Sequence, residues 1–170
     1  GNMSGTLDSY IIKEKRLKDF EGFLHDANID CTLAVGKDYE GNDTICFDYG
    51  KKKIPIKKVS STGTNALMLF YCWYLHILHS EVSFVFIDEF DAFYHYELSR
   101  LVIEKLKETG IQFVLTTHNT SVMSNDIMRP DCYYLMSSKV IKPLSLLTDK
   151  ELREAHNIEK IYKSGAFDVK

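Results

Sequence analysis

The stretch FVFIDEFDAF, residues 84–93, carries four strand-like apolar residues straight into Asp88 and Glu89. Adjacent carboxylates of this kind can divide a reaction between them: the aspartate holds Mg²⁺ directly or through its water shell, and the glutamate faces an attacking water. The plain alternative is a solvent-exposed strand end, because burying two unpartnered carboxylates is costly. A second apolar segment, QFVLTTHN, ends in Thr116, Thr117 and His118 and delivers polar groups to a sheet edge in the same way. A third segment, SSTGT at 60–64, opens a long apolar helical pattern. Hydroxyls, a glycine that allows close approach and the free N–H groups of a helix start make an anion site there. A simple helix N-cap is the competing reading of the same residues.

The elements that must position these groups follow from periodicity and turn chemistry. Residues 8–28 place Tyr10, Ile11, Leu17, Phe20, Phe23 and Leu24 at helical spacing among charges, which predicts one amphipathic helix. CTLAVG and DTICFDYG read as two strands joined by the turn KDYEGN, and Pro55 in KKKIPIKK argues for an edge or a loop. A strand at 82–88, a helix over about 92–109, Gly110 as its stop and a strand at QFVLTT predict a β-α-β unit with a parallel crossover. DCYYLMS predicts a further short strand, and a polar helical tail closes the chain. The expectation is an α/β domain, mostly parallel sheet flanked by helices, with a small antiparallel strand pair near 31–49. Ligands of such sheets bind outside the carboxyl ends of the strands, where Asp88 and Glu89 fall.

Length and composition set limits on this reading. The 170 residues, 45% of them hydrophobic, suffice for one core and are expected to form a single domain. Lys and Arg number 21 against 24 Asp and Glu, a net charge of -3, so no global basic field marks a nucleic-acid binder. Cys31, Cys46, Cys72 and Cys132 lie far apart without a CxxC pair, which fits reduced thiols in a cytoplasmic protein. The apolar run ALMLFYCWYLHILH, 66–79, is too short to cross a bilayer, and no signal-peptide pattern opens the chain. The leading GNMSG, residues 1–5, reads as a tag remnant or disordered leader. His76 and His79 lack ligand-type neighbours at metal spacing, the aromatic run LFYCWYL reads as core, and the five lysines of KKKIPIKK read as an edge-strand guard against aggregation.

The order of motifs is more specific than any one of them. A signature at a helix start, then strand-DE, then strand-TTH resembles the C-terminal half of an ATP-binding-cassette ATPase head. In detail FLHDANIDCTLAV, SSTGTNAL, FIDEFDAFYHYEL, FVLTTHNTSVMS, RPDCYYL and IEKIYKSGAF resemble the ABC-type ATPases of the bacterial abortive-infection and overcoming-lysogenization-defect group, relatives of the SMC-like proteins. The resemblance spans about residues 17–168. It implies that Ser61 and Gly63 are signature residues meeting the γ-phosphate bound on the opposite subunit, and that Asp88 is the Mg²⁺-associated Walker B aspartate. It further implies Glu89 as the catalytic glutamate, Asp91 as the start of the D-loop, and His118 as the switch histidine. ATP and Mg²⁺ are the implied cofactors, and a homodimer closed around two ATP molecules is the implied assembly of the full-length protein. Phage defence or DNA-linked surveillance is the implied setting, with an effector nuclease or toxin and DNA as candidate partners and no membrane. Where the family has His-Pro after the D-loop, this chain has His95 and Tyr96.

A phosphate-cradling GxxxxGK[ST] segment does not occur in the sequence. Of the two Gly-Lys pairs, Cys31 and Asp38 spoil the one at Gly36-Lys37, and Ile45 and Lys52 spoil the one at Gly50-Lys51. The chain therefore reads as a C-terminal half-head, inactive by itself, whose ATPase activity belongs to the full-length protein. Two other readings stay open at this point: a non-catalytic interaction or regulatory half-head, and a metal-dependent hydrolase using Asp88, Glu89, Asp91 and His118 without nucleotide.

Overall fold

The structure is a computed structural model and describes residues 7–147, 152, 157–165 and 167. The leader at 1–5 and parts of the expected polar tail lie outside the described residues. The chain divides into two compact units, Gly1–Ile87 with Ala92–Val114, and Asp88–Asp91 with Leu115–Lys170.

The first unit opens with two helices where one was expected, α1 (Leu7–Lys13) and α2 (Leu17–Asp26). Lys15 adopts a left-handed backbone, φ 56°, and stops α1. Its N–H donates to the Ile12 carbonyl and the Arg16 N–H to the Ile11 carbonyl, each at 3.0 Å, the paired bonds of a Schellman C-terminus. Glycine or asparagine normally announces such a stop, so a lysine there leaves no signal in the sequence. Asn28, φ 59°, ends α2 by the same device, with Ile29 N–H reaching the Leu24 carbonyl at 2.9 Å.

An antiparallel sheet follows, β1 (Leu33–Lys37), β2 (Asp43–Asp48) and β3 (Lys53–Pro55), in that order, with Ala34 opposite Cys46 and Phe47 opposite Ile54. Gly41, φ 83°, and the Asp38 carboxylate, which accepts the N–H groups of Glu40 and Asn42 at 2.9 and 2.8 Å, close the β1–β2 turn. Pro55 sits on the edge strand, where no ladder donor is missed. A short helix, α3 (Ile56–Val59), comes next. Asp8 of α1 is fully buried; its Oδ1 pairs with Lys57 Nζ at 2.8 Å and its Oδ2 accepts the Thr44 hydroxyl at 2.5 Å.

The long helix α4 (Thr62–His79) supplies the centre of this unit's core through Leu67, Phe70, Tyr71, Cys72 and Leu75. Tyr71 packs its ring 5.0 Å from Phe20 and 5.3 Å from Phe23, so the run LFYCWYL is core through Phe70, Tyr71, Cys72 and Leu75, while Leu69 and Trp73 on its other face are exposed. Burial pushes the Cys72 thiol up to about 12, an inert structural thiol. Beyond α4 come β4 (Phe84–Ile87), α5 (Tyr96–Glu108) and β5 (Gln112–Leu115), with Gly110 at φ 69° terminating α5. β4 and β5 pair as a two-stranded parallel sheet.

The expected mostly parallel sheet, covered on both faces, is not what these strands form. Five of the seven described strands, β1–β3 and the pair β6–β7 below, are antiparallel, and the parallel part is only β4–β5. Phe84 and Phe86, two residues apart and thus on one face of β4, are 50% and 57% exposed, and Val114 of β5 is also exposed. Unbroken apolar runs are the signature of doubly covered strands, but the sequence does not say which polypeptide does the covering.

The second unit packs Met123, Leu144, Leu147, Ile158 and Phe167 into its own core. β6 (Tyr134–Met136) is the strand expected in DCYYLMS; it pairs antiparallel with an unanticipated β7 (Ile141–Pro143). α6 (Ile158–Lys163) is capped by Asn157, whose side chain accepts the Lys160 N–H at 2.8 Å, and Glu159 accepts the Thr120 hydroxyl at 3.0 Å.

Candidate active site

The acidic turn hangs on two threonines. β4 ends at Ile87 and β5 at Leu115, and the residues that follow each strand meet within the second unit. The Thr116 hydroxyl donates to Asp88 Oδ1 and accepts the Glu89 N–H at 2.8 Å, while the Thr116 carbonyl accepts the Phe90 N–H at 3.2 Å. The Thr117 hydroxyl donates to Asp91 Oδ1 at 2.6 Å and accepts the Asn119 N–H at 2.8 Å. His118 comes next, its Nε2 3.7 Å from Glu89 Oε1. Asp88, Glu89, Asp91 and His118, all singled out in the sequence, thus belong to one constellation.

The four side chains differ in exposure in a way that matters for chemistry. His118 and Glu89 are open, with side chains 94% and 63% exposed, so both can meet a ligand from outside. Asp91 is buried; its Oδ2 has no hydrogen-bond partner among the described residues, and Thr117 holds its other oxygen. Asp88 is exposed, and with Oδ1 engaged by Thr116 its Oδ2 remains for a cation or for the cation's water shell. Glu89 takes a left-handed backbone, φ 46°, a conformation that costs a residue with a Cβ roughly 1–2 kcal/mol. Outliers of this kind persist where the surroundings over-determine them, and they concentrate at functional sites.

Ser61 and Gly63 belong to the first unit and start α4 there. Ser61 is an N-cap: its Oγ accepts the Thr64 N–H at 3.1 Å. A Cβ built on Gly63 would meet only ordinary contacts, 3.6 Å to the Phe93 carbonyl and 3.7 Å to Ser61 Oγ, so nothing within the described chain requires glycine there. Both residues line a cleft of about 390 Å³ together with Asn28, Phe93, His95 and Glu97. Asn28, Phe93 and Glu97 were not singled out in the sequence, because they share no motif or spacing with SSTGT and only the fold brings them beside it. His95, where the family pattern departs from His-Pro, directly precedes α5, and its carbonyl accepts the N–H groups of Leu98 and Ser99 at 3.0 Å. The helix therefore starts at this turn without a proline.

Among the described residues no group of three or more His, Cys, Asp or Glu converges to hold a metal ion, and His76 and His79 belong to no such group. A cation held by Asp88 would depend on a ligand's own oxygens and on water, the usual coordination of Mg²⁺ with phosphates. No described helix is long and apolar enough to cross a membrane.

Residues 17–124 match the family described as AAA domain, putative AbiEii toxin, Type IV TA system, and the chain belongs to that family. It is thereby a member of an AAA-type ATPase family. No curated protein matches the chain.

Proposed function

We propose that this chain is the signature, Walker B and switch-histidine half of an ABC-type ATPase head, and that it hydrolyses ATP when joined to a P-loop. The observation that carries the reading is the threonine-hung turn, which holds Asp88, Glu89 and Asp91 beside His118. In this reading Asp88 Oδ2 takes the Mg²⁺ that neutralises and orients the ATP phosphates. Glu89 polarises the attacking water and takes its proton. His118, wholly open to solvent, reaches the transferred phosphoryl group and stabilises its developing charge. Ser61 and the free N–H groups at the start of α4 bind the γ-phosphate of the opposite subunit, and Gly63 lets that phosphate approach the backbone.

The apolar outer face of β4, Phe84 with Phe86, supports the half-head: strands with unbroken apolar runs are ordinarily covered on both faces. A polypeptide carrying the P-loop is the covering partner this reading calls for; the family description, with its toxin and type IV TA system, supports a toxin–antitoxin setting, within which this reading places phage defence. The metal-dependent hydrolase finds no ligand cluster among the described residues. In a protein that supplies the P-loop, Glu89→Gln keeps Mg-ATP binding and lowers turnover about a hundredfold or more. Turnover equal to the unsubstituted protein removes Glu89 from the chemistry and the proposal with it.

A further inference from the structure

We infer that Thr116 is a positioning residue for both carboxylates, setting through one hydroxyl which Asp88 oxygen faces the cation and where Glu89 stands. The inference rests on the ATPase reading above. A hydroxyl has a single proton, and Thr116 gives it to Asp88 Oδ1. That commitment leaves the hydroxyl oxygen free to accept, and it accepts the Glu89 N–H at 2.8 Å. Asp88 Oδ1 is thereby engaged, and in this scheme Oδ2 is the oxygen left for the cation. The bond to the Glu89 amide, with the Phe90 N–H on the Thr116 carbonyl, holds the backbone in its left-handed turn. The threonine is suited to this because its β-branched side chain is stiff at χ1, so the hydroxyl's position is fixed by the backbone of residue 116.

This geometry also ties the acids to His118. Thr116 and Thr117 are the two residues before the histidine, and each grips one end of the acidic turn, Thr116 at Asp88 and Glu89, Thr117 at Asp91. The hydroxyl bonds, with the Phe90 N–H on the Thr116 carbonyl, therefore couple the position of the histidine segment to that of the carboxylates. Thr116 itself touches no reacting atom in this scheme. Its loss misplaces Glu89 and Asp88 without removing either, so it lowers turnover and leaves nucleotide affinity largely intact; misplacements of about 1 Å can cost on the order of a hundredfold in rate.

Three substitutions test the inference: Thr116→Val keeps the shape and removes the hydroxyl, Thr116→Ala removes it without a new methyl against the carboxylates, and Thr116→Ser retains it. In a protein that supplies the P-loop, Val and Ala are expected to lower kcat about ten- to a hundredfold with KM for Mg-ATP within about threefold, and Ser to restore most of the loss. In the 170-residue chain alone, hydrogen exchange by NMR is expected to show the Glu89 amide protected with Thr or Ser at 116, and exchanging about tenfold or more faster with Val or Ala. Full kcat in Thr116→Val beside an inactive Glu89→Gln overturns the inference and spares the ATPase reading. Full turnover in Glu89→Gln sinks that reading, and the inference falls with it. An equal loss in Thr116→Ser and Thr116→Val, with Glu89 amide protection unchanged in both, also overturns it, since the hydroxyl is then irrelevant.

Discussion

Glycine and alanine at position 89 should rank in the order opposite to their usual one. In the left-handed region alanine carries a Cβ penalty of roughly 1–2 kcal/mol that glycine escapes. Against this, glycine's freer unfolded chain costs about 0.4–1 kcal/mol relative to alanine. With Glu89 at φ 46°, the difference leaves Glu89→Gly about 1 kcal/mol more stable than Glu89→Ala. Glu89 is exposed and its side chain accepts no close hydrogen bond from the described residues, so both substitutions remove the same small set of contacts and the backbone term stands alone. Urea unfolding of the two variants at equal slope, or a melting-temperature difference of about 2–4 °C, reads the effect directly. Position 104, in the interior of α5, serves as the control, because Glu104→Ala must there exceed Glu104→Gly by roughly 0.8–1 kcal/mol. If Ala matched or exceeded Gly at 89 as well, the strained turn would be refuted, and with it the argument that the threonine bonds hold Glu89 against a conformational cost.

Three further outcomes follow from single contacts. A Cβ at Gly36 would lie 2.6 Å from Cys46 Sγ, so Gly36→Ala should lower stability by about 1–3 kcal/mol, and adding Cys46→Ala should recover part of it; thermal melts in which the double variant is no better than Gly36→Ala would disprove the clash. Asp8→Ala strands the buried Thr44 hydroxyl and frees the half-exposed Lys57, for a loss of about 2–4 kcal/mol in chemical denaturation; adding Thr44→Val should cost little more, and strictly additive losses would argue against the shared bond. The Lys18 ammonium, and then the Leu33 N–H at 2.5 Å, hold the Glu21 carboxyl below its usual range. A depressed folded-state value means that its stabilisation is present above the ordinary carboxylate range and is lost as pH falls through the folded value. Glu21→Gln should therefore flatten the acid limb of a stability–pH curve, and an unchanged limb would contradict the assignment.

Local codes were legible in the sequence, and contacts across chain distance were not. The apolar runs, the Ser61 cap, the Gly41 turn and the Gly110 stop depend on residues within a few positions of each other, so each left a readable pattern. Asp88, Glu89 and His118 stood out because DE and TTH each directly follow an apolar strand, and Asp91 because the order of SSTGT, DE and TTH resembles a family pattern that continues to it. What Thr116 and Thr117 do was invisible: their partners lie 26–28 residues away, and a hydroxyl at a strand end looks the same in sequence whether it meets water or a carboxylate. The break at Lys15 was hidden because a lysine can occupy the left-handed stop only when the fold supplies the bonds that hold it. The burial of Asp8 was equally hidden, since only the tertiary structure brings Lys57 and Thr44 to it and makes an ionised side chain tolerable at zero exposure. Strand existence was written in composition, but strand partnership was decided by packing: the same unbroken hydrophobicity that predicted a doubly covered parallel sheet is compatible with β4 and β5 pairing, among the described residues, only with each other and with Phe84 and Phe86 exposed. Hydrophobicity fixes that a face is to be covered, and only the fold determines what covers it.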